Sequence, residues 1–142
     1  MRDSTTPLPG VKPGSSTVVS VCTSCRSAPS GEAVSTGKLV LDALVPVLLD
    51  QAPHVTVRPV QCLGVCKRPA TIAVSAPDGY TFVFGDLDPH HGGAAIAAFA
   101  KSHAQADYGF VPWEVRPELL RSRLVARIPS TLWSSPDGRP PV

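Results

Sequence analysis

The chain has 142 residues, 43% of them apolar and 17% charged, enough for one domain with its own core and little beyond it. Its 16 prolines, about twice the ordinary share, argue against long uninterrupted helices, and a net charge of +2 gives no ground for nucleic-acid binding. The longest apolar run, residues 43–49, falls far short of the roughly 20 residues that a membrane span needs.

Residues 1–16 are rich in Pro, Gly, Ser and Thr without periodicity and read as a flexible leader. Arg2 and Asp3 are followed by no apolar stretch of a secretory signal, so a cytoplasmic protein is expected. A β-branched run at residues 17–21 predicts a first strand running into Cys22. After a turn-prone stretch with Pro29 and Gly31, a helix is expected over residues 36–51, with Leu39, Leu41, Leu44, Val45 and Leu48 supplying its apolar stripe. Pro46 removes a backbone donor inside it and predicts a kink or an early end.

Residues 54–60 alternate into a second strand that ends beside Cys62. Residues 70–76 and 80–84 are two strands joined by the turn Pro77-Asp78-Gly79. Asp88 is placed to cap a helix that has Pro89 in its first turn, runs to about residue 103 and buries Ile96 and Phe99. Strand, helix, strand, strand, strand, helix describes an α/β sandwich with one mixed sheet, its second half thioredoxin-like. Residues 17–107 form this body. Residues 108–142 are read as an Arg-rich extension with a short helix over 117–128, and all of the net positive charge lies there. Its Arg121, Arg123 and Arg127 are either a solvated helix face or a docking face for an acidic partner, with Trp113 and Trp133 as candidate anchors.

The four cysteines carry the chemistry. Cys22-Thr23-Ser24-Cys25 and Cys62-Leu63-Gly64-Val65-Cys66 both follow predicted strands, and in an α/β sheet the loops at the carboxyl ends of the strands gather in one crevice. If the two strands are parallel neighbours, all four sulfurs meet. Four thiolates in two close pairs suit a tetrahedral zinc or an iron–sulfur cluster. Arg26, Lys67 and Arg68 directly follow the pairs and can offset their negative charge. Loop detail leans towards iron. Zinc knuckles favour a glycine just after the second cysteine, where Arg26 and Lys67 stand, whereas Gly64 lies inside the second pair and can bring backbone N–H groups towards inorganic sulfide. A thiol–disulfide enzyme using Cys22 and Cys25 needs a helix N-terminus at the first cysteine, which Pro29 and Gly31 oppose.

The runs Cys22-Thr23-Ser24-Cys25-Arg26, Gln61-Cys62-Leu63-Gly64-Val65-Cys66-Lys67-Arg68-Pro69, Phe84-Gly85-Asp86-Leu87-Asp88 and Ala126-Arg127-Ile128-Pro129 resemble a bacterial family of small predicted metal-binding proteins catalogued as a domain of unknown function. The resemblance covers roughly residues 17–130. Genes of that family tend to stand beside cobalt-handling and cobalamin-synthesis genes. Its members are similar to thioredoxin-like 2Fe–2S ferredoxins, which implies cluster ligands at Cys22, Cys25, Cys62 and Cys66. The chain departs from those ferredoxins in its first pair, where only Thr23 and Ser24 intervene instead of about a dozen residues.

The expectation is a 2Fe–2S electron carrier or metal-handling accessory, not an enzyme, with a cobalt setting implied by the resemblance alone. A zinc- or cobalt-binding accessory protein without a redox role and a Cys22/Cys25 thiol–disulfide oxidoreductase are the alternatives. The expected partner is a redox or metal-inserting protein, with a homodimer as a further candidate and neither nucleic acid nor membrane. His90 and His91 read as exposed first-turn residues, His54 and His103 as surface histidines, and Asp86 and Asp88 as turn and cap residues.

Overall fold

The structure is a computed structural model and describes residues 16–23, 36–64, 70–135 and 137–140. Strand β1 (Val18–Cys22) leads through helix α1 (Thr36–Gln51) to β2 (Thr56–Val60), which pairs with β1 in parallel. Then β3 (Ile72–Ser75) and β4 (Thr81–Phe84) form an antiparallel hairpin, with β3 antiparallel to β1. Helix α2 (Gly92–Gln105), a short 3-10 turn (Asp107–Gly109) and the single helical turn α3 (Glu118–Arg121) precede a last strand, β5 (Leu124–Ile128). The sheet order is β2-β1-β3-β4-β5. A parallel βαβ unit joined to an antiparallel hairpin and a covering helix is a thioredoxin-like α/β fold, as the sequence pattern predicts.

Period-two alternation explains the core. Val19 and Val21 of β1, Ile72 and Val74 of β3, and Phe82 and Phe84 of β4 all point to one face and are fully buried. Helix α1 lays Val40, Leu44 and Leu48 on that face at a spacing of four, and α2 adds Ile96, Phe99 and Ala100. The Phe99 ring meets Phe82 and Phe84 edge-on, both with centroids 5.0 Å apart. Of the expected α1 stripe, Leu44 and Leu48 are buried and Leu41 packs on the core, while Leu39 and Val45 are exposed. The helix runs through Pro46 to Gln51 without an early end. Pro46 and Asp42, whose carbonyl the missing N–H leaves unbonded, both lie on the exposed side, where water can take that carbonyl.

Two expectations are corrected. Asp88 does not cap α2, which begins at Gly92; its carboxylate accepts the His90 N–H at 2.9 Å, and its carbonyl accepts the Gly92 N–H at 2.6 Å. Asp88 therefore closes a turn just ahead of the helix. The helix read over residues 117–128 is only α3, and Leu124 to Ile128 form β5 against β4. A bulge disguises the strand: Phe84 pairs with Leu124 and Val83 with Ala126, so Val125 is an extra residue that breaks the alternation.

The chain after β5 is clasped to the β3–β4 turn. Ser130 Oγ donates to Pro77 O at 2.9 Å, Trp133 Nε1 donates to the Asp78 carboxylate at 2.6 Å, and the Trp133 ring meets Tyr80 and Tyr108 edge-on. Asp78→Ala is expected to lower stability by about 1–2 kcal/mol, read as an earlier thermal transition followed by Trp fluorescence. Among the described residues, no helix is long and apolar enough to cross a membrane.

Candidate metal centre

The cysteine site starts from the parallel pairing. Cys22, the last residue of β1, stands opposite Val60, the last residue of β2, so both strands deliver their following loops to the same end of the sheet. The Cys22 side chain is fully buried, and its thiol donates to Gln61 O at 3.7 Å. The backbone holds the position: Cys22 N donates to Thr71 O at 3.0 Å, while Thr23 N and Thr23 Oγ1 both donate to Val60 O at 2.9 and 3.0 Å. Cys22 is thereby set against the residue that directly precedes Cys62.

Cys62 is exposed. Gly64 has φ +81, a left-handed conformation that suits glycine, and it bends the loop so that its N–H donates to Cys62 Sγ at 3.2 Å. The Gly64 N–H is thus aimed at the cysteine sulfur of its own pair. The chain enters β3 through Ala70, fully buried and also left-handed at φ 62.

The first turn of α1 closes this pole from the helix side. Thr36 and Gly37 are buried, and a Cβ on Gly37 would overlap the Cys22 carbonyl. The N-terminal end of a 16-residue helix therefore abuts Cys22, and its partial positive charge favours negative charge there. The α1 contact was not expected; the glycine following Thr36 at the head of the helix was its only signal.

Cys25 and Cys66, with Arg26, Lys67 and Arg68, lie outside the described residues. Among the described residues, no three His, Cys, Asp or Glu side chains gather as a metal-ligand group.

The three arginines of the extension do not share one face. Arg123 stands at the cysteine pole, its carbonyl accepting the Gly85 N–H at 2.9 Å and its Nε donating to Asp86 O at 3.0 Å. Arg127 is at the far end of β5, its guanidinium over the rings of Tyr80 and Phe110 at 4.8 and 5.6 Å. Arg121 stacks on Trp113 at 4.4 Å and donates to Trp113 O and Glu114 O. Of the two anchor candidates, Trp113 is exposed and Trp133 is buried in the clasp.

His90 and His91 are exposed, and the bond from His91 together with the His90 N–H holds the Asp88 carboxyl below its ordinary range. His103 corrects the surface reading: it is fully buried on α2 between Thr17 and Tyr80. Its spacing of seven from Ile96 and four from Phe99 was the available signal, since both fall on the same helix face.

The fold is that of a thioredoxin-like α/β protein, with Cys22 and the Cys62 loop at the carboxyl end of its parallel strand pair. The chain belongs to the family described as "Protein of unknown function (DUF1636)", whose model matches residues 19–130. No curated protein matches it. Among solved structures it is similar to the wild-type thioredoxin-like [2Fe-2S] ferredoxin from Aquifex aeolicus, at 17% identity and TM-score 0.49, covering 78% of this chain and 96% of that one. A second structure of a thioredoxin-like [2Fe-2S] ferredoxin from the same organism gives 16% identity and TM-score 0.49, covering 78% and 91%.

Proposed function

We propose that the chain is a one-electron carrier that holds a 2Fe–2S cluster on Cys22, Cys25, Cys62 and Cys66. The supporting observation is the seating of the Cys22 thiol on the Gln61 carbonyl, which brings the leading cysteines of both pairs to one pole. The described part of the donor set fits a thiolate-bound group: one sulfur is buried, and the other accepts a backbone N–H. Such a cluster, when bound, supplies one-electron oxidation and reduction.

The chain's own groups set the electrostatics of that pole. Gly64 withdraws charge from the Cys62 sulfur, and the α1 N-terminus favours negative charge. By their place in sequence, Arg26, Lys67 and Arg68 bring cations next to the ligands. All of these favour the more negative, reduced state. The partner in this reading is a cytoplasmic redox or metal-inserting protein, and the cobalt setting comes from the family resemblance.

Anaerobic purification followed by a visible spectrum and analysis of iron, sulfide, zinc and cobalt tests the reading. Brown protein with iron and acid-labile sulfide in equal amounts is expected, and Cys62→Ser should lose most of that colour. Colourless protein holding one zinc overturns the proposal, and cobalt in place of iron moves the function to metal delivery. If Cys62→Ser retained full thiol–disulfide activity without metal, the dithiol chemistry of Cys22 and Cys25 would replace it.

A further inference from the structure

Arg116 carries a buried charge with no negative partner among the described residues. It stands between the 3-10 turn and α3, and only 8% of it is exposed. Its Nε donates to Val111 O at 2.9 Å, and its guanidinium lies 5.2 Å from the centroid of the Phe82 ring. A carbonyl and a ring face hold the group in place. Neither supplies the full negative charge that a buried cation calls for. The described ion pairs of lysine and arginine lie elsewhere, between Lys38 and Asp42 and between Arg139 and Asp137. The exposed Glu114 favours the charged form of Arg116 from a distance, without an ion pair.

A second cation enlarges the imbalance. Arg127 of β5 reaches to 4.8 Å from the centroid of Tyr80 and also forms no ion pair with a described residue. The rings of Tyr80 and Phe82 have centroids 6.3 Å apart, so the two guanidinium groups stand on adjacent rings. Each is within the field of the other: burial first, and then Arg127, push the pKa of Arg116 below its ordinary value. Apolar side chains would cover the same rings without the desolvation or the repulsion.

We propose that Arg116 and Arg127 form a binding site for a dianionic phosphate group. Charge balance selects this ligand, because a phosphate of about −2 offsets both guanidinium groups, whereas one carboxylate leaves a net cation. The donors agree. Planar guanidinium forks make paired bonds to phosphate oxygens, and apart from the Arg116 Nε bond neither side chain donates to another described residue. Phe110, 42% exposed, has its ring centroid 5.6 Å from the Arg127 guanidinium and sets an apolar wall beside the cations. The carbon part of a phosphate monoester can rest there, which favours a monoester over inorganic phosphate. The site is at the end of the sheet away from Cys22, since Arg127 is near the end of β5 and Leu124 at its start pairs with Phe84. Its occupancy is therefore separable from whatever the cysteines hold.

Calorimetric titration of the full chain near pH 8, at constant ionic strength, tests the site with phenyl phosphate, inorganic phosphate and acetate as probes. Saturable binding of both phosphates is expected, with acetate at least about tenfold weaker. Tighter binding of phenyl phosphate supports a monoester as the ligand, and equal binding supports inorganic phosphate. Arg127→Gln should weaken phosphate binding about tenfold or more, and Arg116→Lys, which keeps the charge and loses the fork, by a similar factor. Lys101→Gln removes an exposed charge on α2 and should leave binding unchanged. Thermal melts give a second readout: phosphate should raise the transition of wild type and of Lys101→Gln, but not that of folded Arg127→Gln. Absence of saturable phosphate binding overturns the proposal, as does acetate bound as tightly as phosphate or undiminished binding in folded Arg127→Gln.

Discussion

Gly37→Ala is expected to destabilise the protein by about 2 kcal/mol net, although the same exchange inside a helix ordinarily stabilises by about 1 kcal/mol. The reversal comes from what the new methyl group meets. It would overlap the Cys22 carbonyl oxygen, stand 2.9 Å from the carbonyl carbon and 3.6 Å from Thr23 Cα. These are backbone atoms of a strand tied to Val60 and Thr71, so no rotamer change relieves the clash. Either α1 lifts off the end of β1 or the end of β1 moves, and both disturb the seat of Cys22. Thermal unfolding should show a transition roughly 8 °C below wild type. Gly64→Ala is the control: nothing stands within 4 Å of its Cβ, and only its left-handed φ of +81 opposes alanine, at about 1 kcal/mol. A Gly37→Ala protein as stable as wild type would mean that α1 is not seated on Cys22.

Position in the sheet explains what was legible in the sequence. Strands β1, β3 and β4 follow from alternation and the Pro77-Asp78-Gly79 turn, because in each of them local pattern and burial coincide, while β2 and α1 were readable from pattern alone, with β2 on the sheet edge and Leu39 and Val45 of the α1 stripe exposed. The boundaries of α1 match the expected residues 36–51. Strand β5 was hidden because Val125 breaks its period and because Arg127, on the face where β4 shows Phe82, is covered by the rings of Tyr80 and Phe110. A cation held by aromatic rings looks, in sequence, like a solvated position. At the cysteine pole, the gathering of Cys22 with the Cys62 loop was readable on the condition that β1 and β2 are parallel neighbours, which they are. The burial difference between Cys22 and Cys62 was not readable, since it depends on Cys22 ending a strand inside the sheet while Cys62 lies in the loop beyond the edge strand β2.

The second large effect belongs to His103. The Tyr80 carbonyl can only accept, so Nε2 carries the proton and donates to it at 2.8 Å, leaving Nδ1 to accept from the Thr17 hydroxyl at 2.9 Å. A neutral imidazole thus joins α2 to the start of β1 and to the residue before β4. Burial pushes its pKa below the ordinary 6.5, against a smaller opposing effect of the Tyr80 bond. The unfolded chain therefore takes up a proton that the folded one resists. This contribution to stability is complete above pH 6.5 and is lost as pH falls from there towards the lowered folded value, by at most about 1.4 kcal/mol per pH unit. His103→Leu should cost about 3 kcal/mol near pH 8, because two hydrogen bonds vanish and the Tyr80 carbonyl is left buried without this partner. The gap between wild type and variant in urea unfolding should shrink below pH 6.5, since leucine has no proton to bind and the other histidines are common to both proteins. A gap that stayed constant down to pH 5 would mean that His103 is as easily protonated in the folded protein as in the unfolded chain. Thr17 directly precedes β1 and Cys22 ends it, so this titration reports on packing at the end of the sheet away from the cysteine pole.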